Sequence, residues 1–253
     1  MVTQVQARSW LDRWDRQQEE TIPDREERFI VIGDVILAAI ARPDPLVLDL
    51  GAGPGSLSVR LLDRLPAAQV VAVDADPLLL GLARAAYGDR PGLRVVDHDL
   101  RQDGWVGALQ LDRAPDAIVS TTALHWLTRP QLAGVYASCG ELLAGGGVFV
   151  DGDHLFDAPT RPRLHDVAHA VRAARIERVG LSGGEQWSAW WSAVGSAAEL
   201  ADLVGARGAR PLEHTVPDAP GVDEHMALLS AAGFTEVGTV WQHGDDRVLV
   251  ALR

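Results

Sequence analysis

The chain has 253 residues, 47% of them hydrophobic, enough to bury a full core, and its formal net charge of −12 argues against a nucleic-acid surface, which needs clustered Lys and Arg. Its single cysteine, Cys139, excludes an internal disulfide and a cysteine-built metal site, and no metal is expected. No uncharged apolar run is long enough to span a bilayer and the opening "MVTQVQARSWLDRWDRQQEE" lacks a signal-peptide core, so a cytoplasmic protein without membrane or nucleic-acid partners is expected.

Residues 1–40 read as an N-terminal helical cap, rich in Arg, Glu and Gln and broken by "TIPD" at 21–24. Asp24 is the N-cap candidate of the second helix, "DREERFIVIGDVILAAI". From Leu46 onward short apolar runs alternate with helical patterns. "LVLDL" (46–50), "VVAVD" (70–74), "LRVVD" (93–97), "DAIVS" (116–120) and "GVFVDG" (147–152) are Val-rich and bounded by Gly, Pro or Asp, as buried strands are. Residues 57–65, 77–87 and 130–143 carry helical spacing of Leu, Val and Ala. The alternation predicts an α/β fold, a mostly parallel sheet with helices on both faces.

Residues 155–220 are too long for a plain connection and contain the helical patterns "HAVRAARIERVG" and "WSAWWSAVGSAAELADLVGARG". They predict a helical lid inserted after the fifth strand. A last helix, "VDEHMALLSAAG", precedes two apolar runs flanking "QHGDD", the pattern of an antiparallel hairpin. The whole of 1–253 is expected to form one domain.

The first strand runs into "VLDLGAGPGS", with Gly51, Gly53 and Gly55 in quick succession. A glycine-rich turn there lies at the carboxyl end of the strands, where open α/β sheets bind ligands. Gly51 and Gly53 let the backbone take unusual dihedrals and approach a ligand with no Cβ in the way. Ser56 stands where a dinucleotide fingerprint wants glycine, and no Gly-Lys-Ser/Thr ending marks a P-loop. Asp74 ends the second strand, roughly twenty residues on, where a carboxylate can accept hydrogen bonds from both ribose hydroxyls. Asp99, in "DHDL" after the third strand, is placed to receive an adenine amino group while Leu100 packs on the ring. Asp49 either orients the loop or meets a ligand cation. Acidic residues at three successive strand ends point to an adenosine-bearing cofactor.

"VLDLGAGPGS", "VVAVDADP", "VVDHDL" and "DAIVSTTALHWL" together resemble the successive motifs of class I S-adenosylmethionine-dependent methyltransferases, from Leu46 to about Asp153 and again over the final hairpin. The resemblance implies a Rossmann-like seven-stranded sheet of order 3-2-1-4-5-7-6 with its last strand antiparallel, and S-adenosyl-L-methionine as cofactor. Carried over, Gly51, Gly53 and Gly55 form the loop at the methionine end, and Asp74 binds the ribose. Ala75 flanks the adenine by its backbone, and Asp99 and Leu100 hold it. Ser120, at the end of the fourth strand, is grouped with these residues. Arg28 and its neighbour Arg25 are candidates for the cofactor's carboxylate, with a solvated helix face as the other explanation.

A methyl acceptor belongs where the fourth and fifth strands end. In "STTALHWLTRP" His125 is a general-base candidate, and Trp126 can offer its indole N–H to an acceptor oxygen. This run resembles the post-strand segment of small-molecule carboxyl methyltransferases of the trans-aconitate, malonyl-carrier-protein and plant salicylate types, which favours Trp126 for acceptor contact. A carboxylate acceptor, already ionised near neutral pH, needs no base. His154, in "DGDHLF", is the second base candidate. His165 and His169 share a helix face at a spacing that can hold a metal, but no third ligand is evident and a lid-lining pair is the preferred reading. Trp187, Trp190 and Trp191 share another face, for which core packing of a small helical lid is the default reading; as an acceptor surface it offers Trp187, with Trp14 and Gln17 reaching in from the first helix.

The leading function is therefore methyl transfer to a small organic molecule at oxygen, carboxylate or hydroxyl, in a monomer or homodimer. The acidic charge and the absence of an Asn/Asp-Pro-Pro run after the fourth strand argue against nucleobase substrates. Transfer to nitrogen or carbon, a cofactor-binding module or cyclase of the same fold, and a nicotinamide oxidoreductase are the alternatives.

Overall fold

The computed structural model describes residues 2–155, 160–181, 183–210, 212, 216 and 219–253. Two helices, α1 (Gln4–Glu19) and α2 (Arg25–Ala39), lead into β1 (Leu46–Leu50), α3 (Ser56–Arg64), β2 (Gln69–Asp74), α4 (Pro77–Tyr87) and β3 (Leu93–Asp97). A short α5 (Trp105–Ala108) precedes β4 (Ala117–Thr121), a 3-10 turn (Leu124–Trp126), α6 (Arg129–Leu142) and β5 (Val148–His154). Then come α7 (Pro162–Val179), α8 (Trp187–Ser196), α9 (Ala201–Gly208), α10 (Val222–Ala231), and the hairpin β6 (Glu236–His243) and β7 (Asp246–Leu252).

The sheet order is β3-β2-β1-β4-β5-β7-β6, parallel throughout except for β7, which runs antiparallel to both β5 and β6. This is the expected seven-stranded α/β sheet. The strand period of two divides its core. Leu46, Leu48 and Leu50 of β1 pack with Leu132 and Tyr136 of α6 and Leu229 of α10. Val47, on the opposite face, packs with Ile32 of α2 and Leu61 of α3. Burying both faces of β1 is what makes it a continuous apolar run, each Leu contributing about 1.5–3 kcal/mol.

Helix starts show how local chemistry sets the entry to each crossover. Asp76 caps α4, its carboxylate accepting from the N–H groups of Leu78 (2.9 Å) and Leu79 (3.4 Å), with Pro77 in the first turn. Asp24 precedes α2 but makes no capping bond. Its carboxylate instead accepts from Arg175 of α7 (2.8 Å) and faces His243 Nδ1 of β6 (2.6 Å), drawn away by two stronger, charge-assisted partners.

The segment after β5 is helical over its described parts, as expected. α8 packs on α1: Trp190 is fully buried and meets Trp10 and Trp14 edge-on, with ring centroids 6.1 and 4.9 Å away. Among the described residues no helix is long and apolar enough to cross a membrane.

Candidate active site

The chain order sends β2 and β3 to one side of β1 and β4 and β5 to the other, so a crevice opens at the carboxyl ends of β1 and β4. The loop after β1 follows that crevice with Gly51 at φ +65°, in the left-handed region that suits glycine. A Cβ at Gly51 would stand 2.3 Å from the Cβ of Ala123, so glycine is what allows this loop to press against the turn after β4. Gly53 donates its N–H to Asp74 Oδ2 at 2.7 Å, and Asp76 donates to Asp74 Oδ1 at 2.7 Å. Asp74 thus pins the loop, yet each carboxylate oxygen retains a lone pair for a ligand. Burial raises its pKa to about 6 against the opposing pull of those N–H groups.

A cavity of about 500 Å3 occupies the crevice. It is lined by Gly51, Gly53, Asp74, Ala75, Asp99 and Leu100 and by Trp14, Trp126, Trp187 and Trp191, with Arg207 over the Trp191 ring at 4.0 Å and paired with Asp76 at 2.7 Å. His125 and His154 line it as well.

His125 reaches the cavity from the 3-10 turn that follows β4. Thr122, at φ +48°, makes the bend, and its N–H donates to Gly152 O at 3.0 Å. A β-branched residue in this region is strained by about 1–3 kcal/mol, a cost the surrounding contacts must hold in place. The turn sets His125 Nδ1 2.8 Å from both carboxylate oxygens of Asp153, which is fully buried at the end of β5. Burial pushes the Asp153 carboxyl upward, but His125, His154 and Arg28 outweigh it and hold it at about 2. Burial also pulls His125 down, and the charge and hydrogen bond of Asp153 more than reverse that, leaving the imidazole above its ordinary value. With Asp153 ionised, Nδ1 carries the bonded proton and Nε2 is the ring nitrogen left for a ligand.

A methyltransferase-domain family model matches residues 47–147, from β1 to the start of β5. The trans-aconitate 2-methyltransferase of Methylobacterium nodulans is 29% identical over 196 residues, spanning 74% of this chain and 70% of that protein. That of Streptomyces coelicolor is 29% identical over 220 residues, spanning 74% and 69%. The domain match and these relatives support a class I S-adenosylmethionine-dependent methyltransferase. The fold agrees with that of human N-acetylserotonin methyltransferase, solved in complex with SAM, at a TM-score of 0.55 and 16% identity. That match covers 95% of this chain, which spans just over half, 56%, of the human protein.

The structure of this methyltransferase brings most of the sequence-selected residues to one cavity. Gly51, Gly53, Asp74, Ala75, Asp99, Leu100, His125, Trp126, His154, Trp14 and Trp187 all line it. Asp99 arrives already engaged, paired with the Arg101 guanidinium at 2.8 Å and accepting the Arg101 N–H at 2.9 Å.

Five others lie elsewhere, each for a visible reason. Asp49 is buried beneath the loop and accepts from Ser58 Oγ at 2.5 Å, and burial lifts its pKa to about 7. Ser120 Oγ donates to Leu50 O at 2.8 Å, tying β4 to β1. Gly55, at φ +85°, forms the N-cap of α3 behind the loop. Arg28 is fully buried and paired with Asp246 of β7 at 2.8 Å, so its charge supports the sheet rather than facing the cavity; Arg25 lines it instead. Gln17 is buried, whereas Trp14 and Gln18, one helical turn apart on α1, and Thr21 just beyond its end line the cavity.

His154 lines the cavity in a state unsuited to a base. Its Nδ1 lies 2.6 Å from Arg172 Nη1 and 3.8 Å from Asp245 Oδ1, so that nitrogen is held by the wall. His169 lies 3.5 Å from Asp245 Oδ2, beside Arg172, and the His165 and His169 rings are 4.8 Å apart. Among the described residues no cluster of three or more His, Cys, Asp or Glu could hold a metal. Asp153, Thr122 and Trp191 are site residues that sequence reading did not select. The signal for Asp153 was the acidic pair in "DGDH", since the parallel register Thr121↔Gly152 sets the end of β5 beside the start of the His125 turn.

Proposed function

We propose that this methyltransferase transfers the methyl group of S-adenosylmethionine to an oxygen atom of a small organic acceptor. The His125–Asp153 pair at the cavity wall carries the reading, because a buried carboxylate that fixes one imidazole nitrogen leaves the other to take a proton. The names of the trans-aconitate relatives support a small organic acceptor and favour oxygen, which in trans-aconitate is carboxylate oxygen.

The residues present fit the cofactor. The cavity volume lies in the range that encloses nucleoside-sized ligands. Asp74 keeps acceptor capacity for ribose hydroxyls, Leu100 and the Ala75 backbone flank a place for adenine, and Gly51 and Gly53 present no side chain. Bound S-adenosylmethionine supplies an electrophilic methyl on a positively charged sulfur, which leaves as a neutral thioether with the electron pair of the broken C–S bond.

The chain's contribution is positional. The tryptophans exclude water and hold the acceptor, so that attack becomes effectively unimolecular. His125 Nε2 takes the proton of an acceptor hydroxyl as the oxygen's electron pair forms the new O–C bond. Asp153 keeps the other nitrogen protonated and compensates the imidazolium that results. A second reading is favoured by the raised pKa of His125: already protonated, it pairs with an acceptor carboxylate that needs no base. The two differ in sign, since a base gains activity as pH rises through its pKa and a cationic anchor loses it.

Calorimetric titration with S-adenosylmethionine and S-adenosylhomocysteine tests the cofactor, and release of S-adenosylhomocysteine with a candidate acceptor tests transfer. Micromolar binding weakened about 10–100-fold in Asp74→Ala is expected, the value of one or two charge-assisted hydrogen bonds. Well-folded protein that binds neither compound would overturn the proposal, and binding without turnover on any acceptor would favour a binding module.

A further inference from the structure

Resting on the oxygen-transfer reading, we propose that the acceptor is a planar aromatic molecule with one ionisable hydroxyl, a phenol, and not a polycarboxylate of the kind the relatives are named for.

The first argument is the wall. Trp14 of α1, Trp126 after β4, and Trp187 and Trp191 of α8 all line the cavity. Trp191 meets Trp14 at 6.2 Å and 89°, and Trp187 at 5.7 Å and 64°, so the rings form an edge-to-face lattice rather than a closed stack. Trp187 and Trp126 remain 49% and 37% exposed. Large aromatic surfaces left open inside a concave site are ligand surfaces, and edge-to-face rings accommodate one more planar ring between them.

The second argument is charge. The two guanidinium groups on the described wall are already matched, Arg25 by Asp15 at 2.9 Å and Arg101 by Asp99 at 2.8 Å. Asp74 and Asp76 also line the wall, and Asp76 is matched by Arg207 at 2.7 Å. A tricarboxylate entering here would desolvate three negative charges where each arginine on the described wall already has a carboxylate partner, an arrangement that disfavours it. A phenol enters neutral.

The third argument is the placement of His125. The His125 and Trp126 ring centroids lie 4.6 Å apart, so a hydroxyl that reaches His125 belongs to a body lying against an indole. One imidazole raised by Asp153 suits one O–H, whose pKa in a phenol is about 10, nearer to histidine than that of an aliphatic alcohol.

The test is equilibrium dialysis of 2-naphthol and trans-aconitate against wild type, Trp187→Ala and Trp187→Phe, each saturated with S-adenosylhomocysteine, whose binding is first measured by calorimetry. Trp187 is half-exposed, so its replacement leaves the core intact. Retention of 2-naphthol, at least tenfold weaker in Trp187→Ala and recovered in Trp187→Phe, with no retention of trans-aconitate, is expected. Retention of trans-aconitate instead, retention of neither, or 2-naphthol binding indifferent to Trp187 would each overturn the acceptor class. Failure to bind S-adenosylhomocysteine at all would sink the cofactor reading beneath it, and the calorimetry separates the two failures.

Discussion

His125 and Asp153 stand 28 positions apart in sequence, yet the Nδ1 of one is 2.8 Å from both carboxylate oxygens of the other. The pair exists because β4 and β5 are parallel neighbours whose ends fall side by side. In Asp153→Asn the ring loses its compensating negative charge while its burial remains, so the His125 pKa falls. If His125 is the base, the rise of kcat with pH moves to lower pH, and the plateau drops about 10²–10⁴-fold, as when a base loses its orienting carboxylate. A pH–rate profile checks this, with circular dichroism to show that the fold is kept. An unmoved acidic limb would remove His125 from the chemistry.

Gly51→Ala puts a methyl group 2.3 Å from the Cβ of Ala123 at a backbone φ of +65°. Overpacking costs about 1–3 kcal/mol, and a left-handed alanine adds about 1–2 kcal/mol. Urea denaturation should register a loss of this size, together with weaker S-adenosylhomocysteine binding in calorimetry. Wild-type stability in the variant would mean that the two loops do not press together as described.

Asp15 of α1 joins three elements: it accepts from Arg25 of α2 (2.9 Å), Ser56 at the start of α3 (2.7 Å) and Arg60 of α3 (3.0 Å). Arg25 is only 5% exposed, so Asp15→Ala strands a buried cation. A loss of about 3–5 kcal/mol is expected in denaturant titration, because the remaining partner keeps its desolvation cost. Hydrogen exchange should show faster opening of α1 before the sheet. Uniform exchange across both would argue against this node as the tie.

Asp49 makes stability depend on pH. Its carboxyl titrates at about 7 in the folded protein, against about 3.9 when unfolded. The folded state therefore holds a proton that the unfolded chain has released. The stabilisation is complete below about pH 4 and is lost as pH rises to about 7, on the order of 4 kcal/mol. Asp49→Asn cannot ionise, so its stability relative to wild type should improve across that window. A difference between the two proteins with no pH trend would refute the assignment.

The strands and most helices were legible because each is a short apolar run with a recognisable stop, and β1, β3 and α4 begin and end where the pattern says. The four-residue α5 was not, being too short for any periodicity. The residues selected for the cofactor half were legible because Asp74 and Asp99 follow successive strand ends. Those facing the tryptophans were only half legible. Whether Trp14 or Gln17 faces the cavity depends on how α1 rolls against α8, and whether Arg28 faces a ligand depends on Asp246, 218 residues away. Long-range pairing of charges is the step that periodicity does not encode.

The methyltransferase-domain match ends at residue 147 and begins at residue 47, while Trp14, Trp187 and Trp191 lie outside it. The cavity is thus closed by two kinds of chain: the sheet and its loops, which bring His125 and Trp126, form a chassis, and the first helix and α8 form the upholstery laid over it. Substitutions at Trp14 or Trp187 can therefore reshape the cavity lining without disturbing the register of any strand.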